Sequence, residues 1–226
     1  MTRHPISRWY LVGAVVSLSR RLAATAVRPW HLTIAGAALV ASAVTLLVIR
    51  PEAYMFAAPL VWGGWLMDRL DGAVARRQRS TSRWGAWLDA NLDEAGDLAL
   101  QLGVASAAAA QWPATAATVW GLLVVFIAAK YLLVYGISTE GQFASAPHPD
   151  SFMDELPQPS DRDAPRHAWR ALYHLPGNAD VRLHLLLAAL LTGWLWAELA
   201  LVAAYYALRV VVRYILVARR LAGGVQ

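Results

Sequence analysis

The sequence predicts an all-α integral membrane fold: six transmembrane helices preceded by an N-terminal amphipathic helix at the membrane interface. Three observations carry that expectation. Of 226 residues, 58% are hydrophobic and 15% charged, and the mean hydropathy is +0.41, an apolar share beyond that of soluble domains. The apolar runs approach the roughly 20 residues that a helix needs to cross a bilayer, and they are rich in Ala, Leu and Val without the alternation of barrel strands. The arginines collect in short segments flanking those runs, as in loops that face the cytoplasm and anionic lipid.

Each element follows from this pattern. Residues 1–28 carry Arg3, Arg8, Arg20, Arg21 and Arg28, no acid, and an apolar stretch only at 11–16. With no Ala-x-Ala-type cleavage site ahead of a hydrophilic mature start, they read as an interfacial helix rather than a signal peptide. Residues 29–226 read as one membrane domain. Its first span is expected at 33–49, closing on Arg50-Pro51-Glu52. The second starts near Ala53, stays apolar to Met67 and runs into Asp68-Arg69-Leu70-Asp71-Gly72. A basic connection, with Arg76, Arg77, Arg79 and Arg83 around Ser80-Thr81-Ser82, leads to a third span at 84–110 that carries Asp89, Asp93, Glu94 and Asp97. The fourth, 114–137, is apolar except for Lys130, the only lysine. A polar, proline-containing insertion at 138–180 is too long for a tight helical connection, and a short surface helix is expected in it at 166–175. Spans at 181–196 and 198–217 complete the six.

Six spans put both termini on one side, and the arginine distribution makes that side cytoplasmic, in a bacterial or archaeal-type cell membrane. The net charge of +5 does not point to nucleic acid, because the arginines sit at span boundaries. With no cysteine, neither disulfides nor thiolate metal sites arise.

The acids carry the chemistry. Asp68 and Asp71 are three apart and Asp89 and Asp93 four apart, so each pair lies on one face of its helix. The two helices are antiparallel neighbours joined by a short loop, which lets the acidic faces oppose each other. Carboxylates crowded in low dielectric repel or take up protons unless a counter-charge is present. An all-oxygen ligand set suits a hard divalent cation, Mg²⁺ first and Mn²⁺ as a substitute. The competing reading is a structural cluster in which these acids pair with Arg69, Arg76 or Arg83. Gly72 and Gly85 favour the site, since each removes a side chain beside an acid, and Arg76 is a natural phosphate partner.

Asp68-x-x-Asp71-Gly72-x-x-Ala75-Arg76, eight residues, then Gly85-x-x-x-Asp89-x-x-x-Asp93 resembles in full the signature of the CDP-alcohol phosphatidyltransferase family. The resemblance extends to six membrane helices behind an amphipathic N-terminal helix. Upstream, Pro29-Trp30-His31-Leu32-Thr33 departs from the family's frequent Pro-Asn-x-x-Thr.

The resemblance implies that Asp68, Asp71, Asp89 and Asp93 hold two metal ions on the pyrophosphate of a CDP-linked donor. It also implies that Asp93 is the general base for the acceptor hydroxyl, that CMP is released, and that the product serves phospholipid biosynthesis. Gly72, Ala75, Arg76 and Gly85 match positions that border the nucleotide, and Ser82 offers it a hydroxyl or caps the loop. A bilayer-facing site favours a lipid donor such as CDP-diacylglycerol over a soluble CDP-alcohol. Dimerisation is expected from the family alone.

For the acceptor, Lys130, Arg182, Arg209 and Arg213 fall in or at the ends of predicted spans on three helices, and cations within the membrane are functional candidates. Their placement, with Leu88-Asp89-Ala90-Asn91-Leu92-Asp93 and then Asp97, is similar to the branch of the family that uses a phosphorylated inositol. Glu94 departs from that branch, which has Arg there. A glycerol phosphate or other polar alcohol is the alternative acceptor. Asp97, one turn beyond the signature, either orients a ligand or pairs with an arginine. A divalent-cation transporter, the rival outside enzymes, should show acids along a continuous path, whereas here they gather at one end.

Overall fold

The structure is a computed structural model, and it describes residues 6–143 and 179–223. Among the described residues are seven α-helices: α1 Val12–Ala23, α2 Pro29–Ile49, α3 Ala57–Gln78, α4 Arg83–Gln111, α5 Ala116–Phe143, α6 Ala179–Thr192 and α7 Leu195–Gly223. Local chemistry sets their ends. Helix α2 starts on Pro29, whose missing N–H costs nothing in the first turn, and His31 Nδ1 accepts the Arg28 N–H at 3.1 Å. It stops at Arg50 ahead of Pro51, and a 3-10 turn, Pro51–Phe56, delivers the chain to α3. Helix α3 ends where Arg79 takes the left-handed conformation, φ 51°, and the Ser80 N–H returns to the Ala75 carbonyl at 3.0 Å. Ser82 then caps α4, its Oγ accepting the Gly85 N–H at 3.0 Å. These caps reverse the chain direction between α3 and α4, yet the two helices, expected to pack as neighbours, barely touch each other and each packs on α2 instead.

The expectation of six membrane spans is corrected. Helices do lie near all six expected positions, but among the described residues three are long and apolar enough to cross a membrane: Pro29–Ile49, Pro113–Thr139 and Leu195–Arg220. The others differ for physical reasons. In α3 the apolar stretch stops at Met67, and Asp68, Arg69, Asp71, Arg76 and Arg77 occupy the second half. Helix α4 carries Asp89, Asp93, Glu94 and Asp97 in the same way. Helix α6 has 14 residues, about 21 Å at 1.5 Å per residue, against a hydrocarbon core of roughly 30 Å.

The N-terminal segment is not set apart as an interfacial helix either. It is docked on the bundle: α1 leans on α3, Leu11 and Ser19 are buried, and Arg77 Nε donates to Ser19 Oγ at 3.0 Å. The backbone N–H groups of Ile6 and Ser7 donate to Asp180 Oδ2 at 2.7 and 3.0 Å, clasping the chain start to α6. The surface helix expected at 166–175 lies outside the described residues. Helix α5 runs on to Phe143, beyond the end at 137 that the polarity suggested.

Small residues let α2 and α3 cross closely. A Cβ added at Gly64 would lie 2.8 Å from Val40 Cγ2 and 3.1 Å from the Gly36 carbonyl oxygen, and one added at Gly36 would lie 3.1 Å from the Gly64 carbonyl. Helix α4 packs on the same face of α2, where Gly103 meets Leu47. Helices α5 and α7 pair beside α4, around a core that includes Leu47, Val104, Phe126, Leu190 and Leu199. The outer faces of α5 and α7 expose Val124, Ile127, Val134, Val211 and Ile215, apolar surface that lipid tails match.

Candidate metal centre and the cavity around it

The close α2–α3 crossing and the packing of α4 on α2 bring three helices to one point. Asp68 and Asp71 come from α3 and Asp89 from α4, and one carboxylate oxygen from each falls within 4.8 Å of the others. Asp71 is buried, and Thr33 Oγ1, from the first turn of α2, donates to its Oδ2 at 2.6 Å. Arg69 Nε stands 3.8 Å from Asp68 Oδ2. A single arginine carries one positive charge against the trio's three carboxyl groups.

These carboxyls respond as crowded acids do. Burial, then the charges of Asp89 and Asp68, push Asp71 up to about 7 against the opposing Thr33 hydrogen bond. Partial desolvation, then repulsion from Asp68, Asp89 and Asp71, push Asp93 up to about 7 as well. Asp68 and Asp89 shift upward too, chiefly through burial. A divalent cation relieves this repulsion, and the all-oxygen donor set fits a hard one. Binding must displace protons. Affinity for such a cation is therefore expected to rise as the pH is raised towards about 7, where Asp71 loses its proton, and then to level off. The gain should be about tenfold per pH unit for each proton displaced, and calorimetric titration with Mg²⁺ from pH 5.5 to 8 measures it. A flat profile would contradict it.

Thr33 is a site residue that the motif's spacing does not reveal; its only sequence signal is the final position of the Pro-x-x-x-Thr stretch ahead of the first span. Thr33→Val should weaken divalent-cation binding about tenfold by freeing Asp71 to rotate. Unchanged affinity would show that Asp71 is held by packing alone.

The trio opens into a cavity of about 610 Å³ between α2, α3, α4, α5, α6 and α7. Asp93 and Glu94 line it, as do Asp97, Lys130 and Arg182. Lys130 is buried; its Nζ bonds to Asp97 and lies 3.0 Å from Glu94 Oε1. Arg182 bonds to the other oxygen of Asp97 and donates to the Tyr206 hydroxyl at 2.7 Å. Deeper in, Gln101 Nε2 donates to Glu198 Oε1 at 3.1 Å. Tyr206, Gln101 and Glu198 were not legible as cavity residues, since they converge only through the packing of α4 against α7.

The other residues singled out in the sequence lie elsewhere. Gly72, Ala75 and Arg76 lie in the last two turns of α3 and Gly85 in the first turn of α4; a Cβ on Gly72 would sit 3.4 Å from Arg76 Nη1, and Ser82 is the cap of α4. Arg209 and Arg213 are on α7 outside the lining of this cavity, Arg213 buried near Gly136.

Helical membrane architecture and a carboxylate centre able to hold a divalent cation define the class. The chain belongs to the CDP-alcohol phosphatidyltransferase family, whose model matches residues 9–151. It is 39% identical over 101 residues to a phosphatidylinositol phosphate synthase of Mycobacteroides abscessus, covering 42% of this chain and 43% of that protein. It is 26% identical over 132 residues to an archaetidylinositol phosphate synthase of Pyrococcus horikoshii, covering 55% and 69%. The similarity thus spans less than half of the Mycobacteroides abscessus relative. In fold, the chain is similar to the crystal structure of Mycobacterium tuberculosis phosphatidylinositol phosphate synthase with CDP-DAG bound, with a TM-score of 0.59 at 23% identity over 90% of this chain and 92% of that one.

Proposed function

We propose that the protein transfers a substituted phosphate from a CDP-linked lipid, of the CDP-diacylglycerol type, to a hydroxyl of an inositol phosphate, releasing CMP. The observation that carries this reading is the carboxylate trio opening into a cavity that also holds Lys130 and Arg182. The phosphatidylinositol phosphate and archaetidylinositol phosphate synthases among the relatives support the acceptor class.

Asp68, Asp71 and Asp89 would hold Mg²⁺, or Mn²⁺ in its place, with Asp93 completing the ligand set for two ions. When bound, the ions supply charge stabilisation for the oxygens of an in-line phosphoryl displacement. The chain's own groups do the remaining work. Asp93 lines the cavity and lies outside the compact trio, which leaves its carboxylate to accept the acceptor's proton. The acceptor oxygen bonds to the donor's β-phosphorus as the bond from that phosphorus to the CMP oxygen breaks. Gly72, Ala75 and Arg76 near the end of α3 and Gly85 at the start of α4 border the nucleotide, with Arg76 on a phosphate. The Ser82 hydroxyl is committed to Gly85, so its part is to hold the start of α4. Lys130 and Arg182 receive the acceptor's anionic group. The loop side of the site faces the cytoplasm.

The test is metal-dependent CMP release from CDP-diacylglycerol with inositol 1-phosphate, glycerol 3-phosphate, serine or free inositol as acceptor. Turnover is expected with inositol 1-phosphate and lost on chelation. Turnover confined to uncharged acceptors would remove the role given to Lys130 and Arg182.

A further inference from the structure

The inner part of the cavity does not present its cations freely. Lys130 Nζ is shared between Asp97 and Glu94, and Arg182 is bonded to the second oxygen of Asp97. The two acids hold these cations differently. Asp97 bridges α5 and α6 by binding both cations, and its side chain is 24% exposed. Glu94 touches Lys130, and its side chain is 53% exposed. A half-exposed glutamate can swing into water, where its charge is well solvated and the ion pair it gives up is weak. Moving Asp97 would strip the buried Lys130 and the largely buried Arg182 at once.

We infer that Glu94 is a specificity-determining residue: a tethered carboxylate that occupies, on Lys130, the position an acceptor's phosphate would take. This rests on the assignment of Lys130 to acceptor binding. A lysine ammonium has three donors. With one committed to Asp97 and one to Glu94, a phosphate taking the third would stand beside the glutamate, and those like charges, not the number of donors, set the two in competition. An uncharged polyol meets no such competition. Glu94 therefore narrows the advantage of an anionic acceptor over a neutral one and makes its binding conditional on displacing the glutamate. Discrimination through a built-in repulsive group is a general device.

The experiment is calorimetric titration of the full-length protein in detergent, as wild type, Glu94→Gln and Glu94→Ala, with inositol 1-phosphate, inorganic phosphate and free inositol as probes. Both variants are expected to bind the two phosphate probes about tenfold more tightly and free inositol unchanged. Equal affinity for the phosphates in all three proteins would overturn the inference. So would weakening of phosphate and inositol alike, since that marks Glu94 as a support for the pocket. CMP release measured on the same samples separates the two levels. If the phosphates tighten but no protein turns over, the proposed reaction fails and the Glu94 assignment stands; if wild type turns over and phosphate affinity is unmoved, only the assignment fails.

Discussion

Asp93→Asn is expected to lower kcat roughly 10³-fold while leaving CDP-donor binding within a few-fold of wild type. The substitution keeps the side chain's size and removes the proton acceptor. Asp68, Asp71 and Asp89 remain as the compact oxygen cluster, so a donor held through its phosphates should still bind. Loss of a charge that repels its neighbours should also ease their ionisation, since Asp68, Asp89 and Asp71 all contribute to the raised Asp93 pKa. Rate and affinity therefore move independently here. Single-turnover CMP release beside equilibrium binding of a CDP-alcohol measures both. Near-normal turnover would place the base elsewhere, and loss of donor binding would make Asp93 chiefly a ligand.

Gly64→Val should produce the largest structural effect. The first added carbon already lies 2.8 Å from Val40 Cγ2 and 3.1 Å from the Gly36 backbone oxygen, and the backbone oxygen cannot yield as a side chain can. Helices α2 and α3 must part, at about 1–3 kcal/mol of overpacking. Because Thr33 and Asp71 face each other across this same crossing, separation should also lengthen their hydrogen bond and weaken cation binding. Thermal unfolding in detergent with and without Mg²⁺ reads both effects. A variant with wild-type melting and wild-type Mg²⁺ affinity would show that the helices approach closely without needing to.

How much of this was legible in the sequence depends on the range over which each feature is encoded. Helical spacing places Asp68 beside Asp71 and Asp89 beside Asp93, so each pair could be read locally; their convergence could not, because α3 and α4 meet at the acids by packing on α2 rather than on each other. The positions of the helices were legible from hydropathy, but the number of spans was not. Hydropathy alone makes every apolar run a candidate span, whereas α6 is too short and the apolar run of α3 stops before its acids. For Asp97 the sequence left a choice between orienting a ligand and pairing with an arginine; the structure pairs it with Arg182 and with Lys130 as well. Thr33, Gln101 and Tyr206 depend on which helices meet, and a single sequence does not encode that in any local period.

The clasp on Asp180 has a consequence for biogenesis. Its amide donors, Ile6 and Ser7, precede their acceptor by 174 and 173 positions. At about 5–20 residues per second, roughly 10–35 seconds of translation separate the two halves of that contact. A nascent chain that has already threaded its early helices still waits for the ribosome to deliver α6 before its leading end can lock, which makes closure of this ring a late event in maturation.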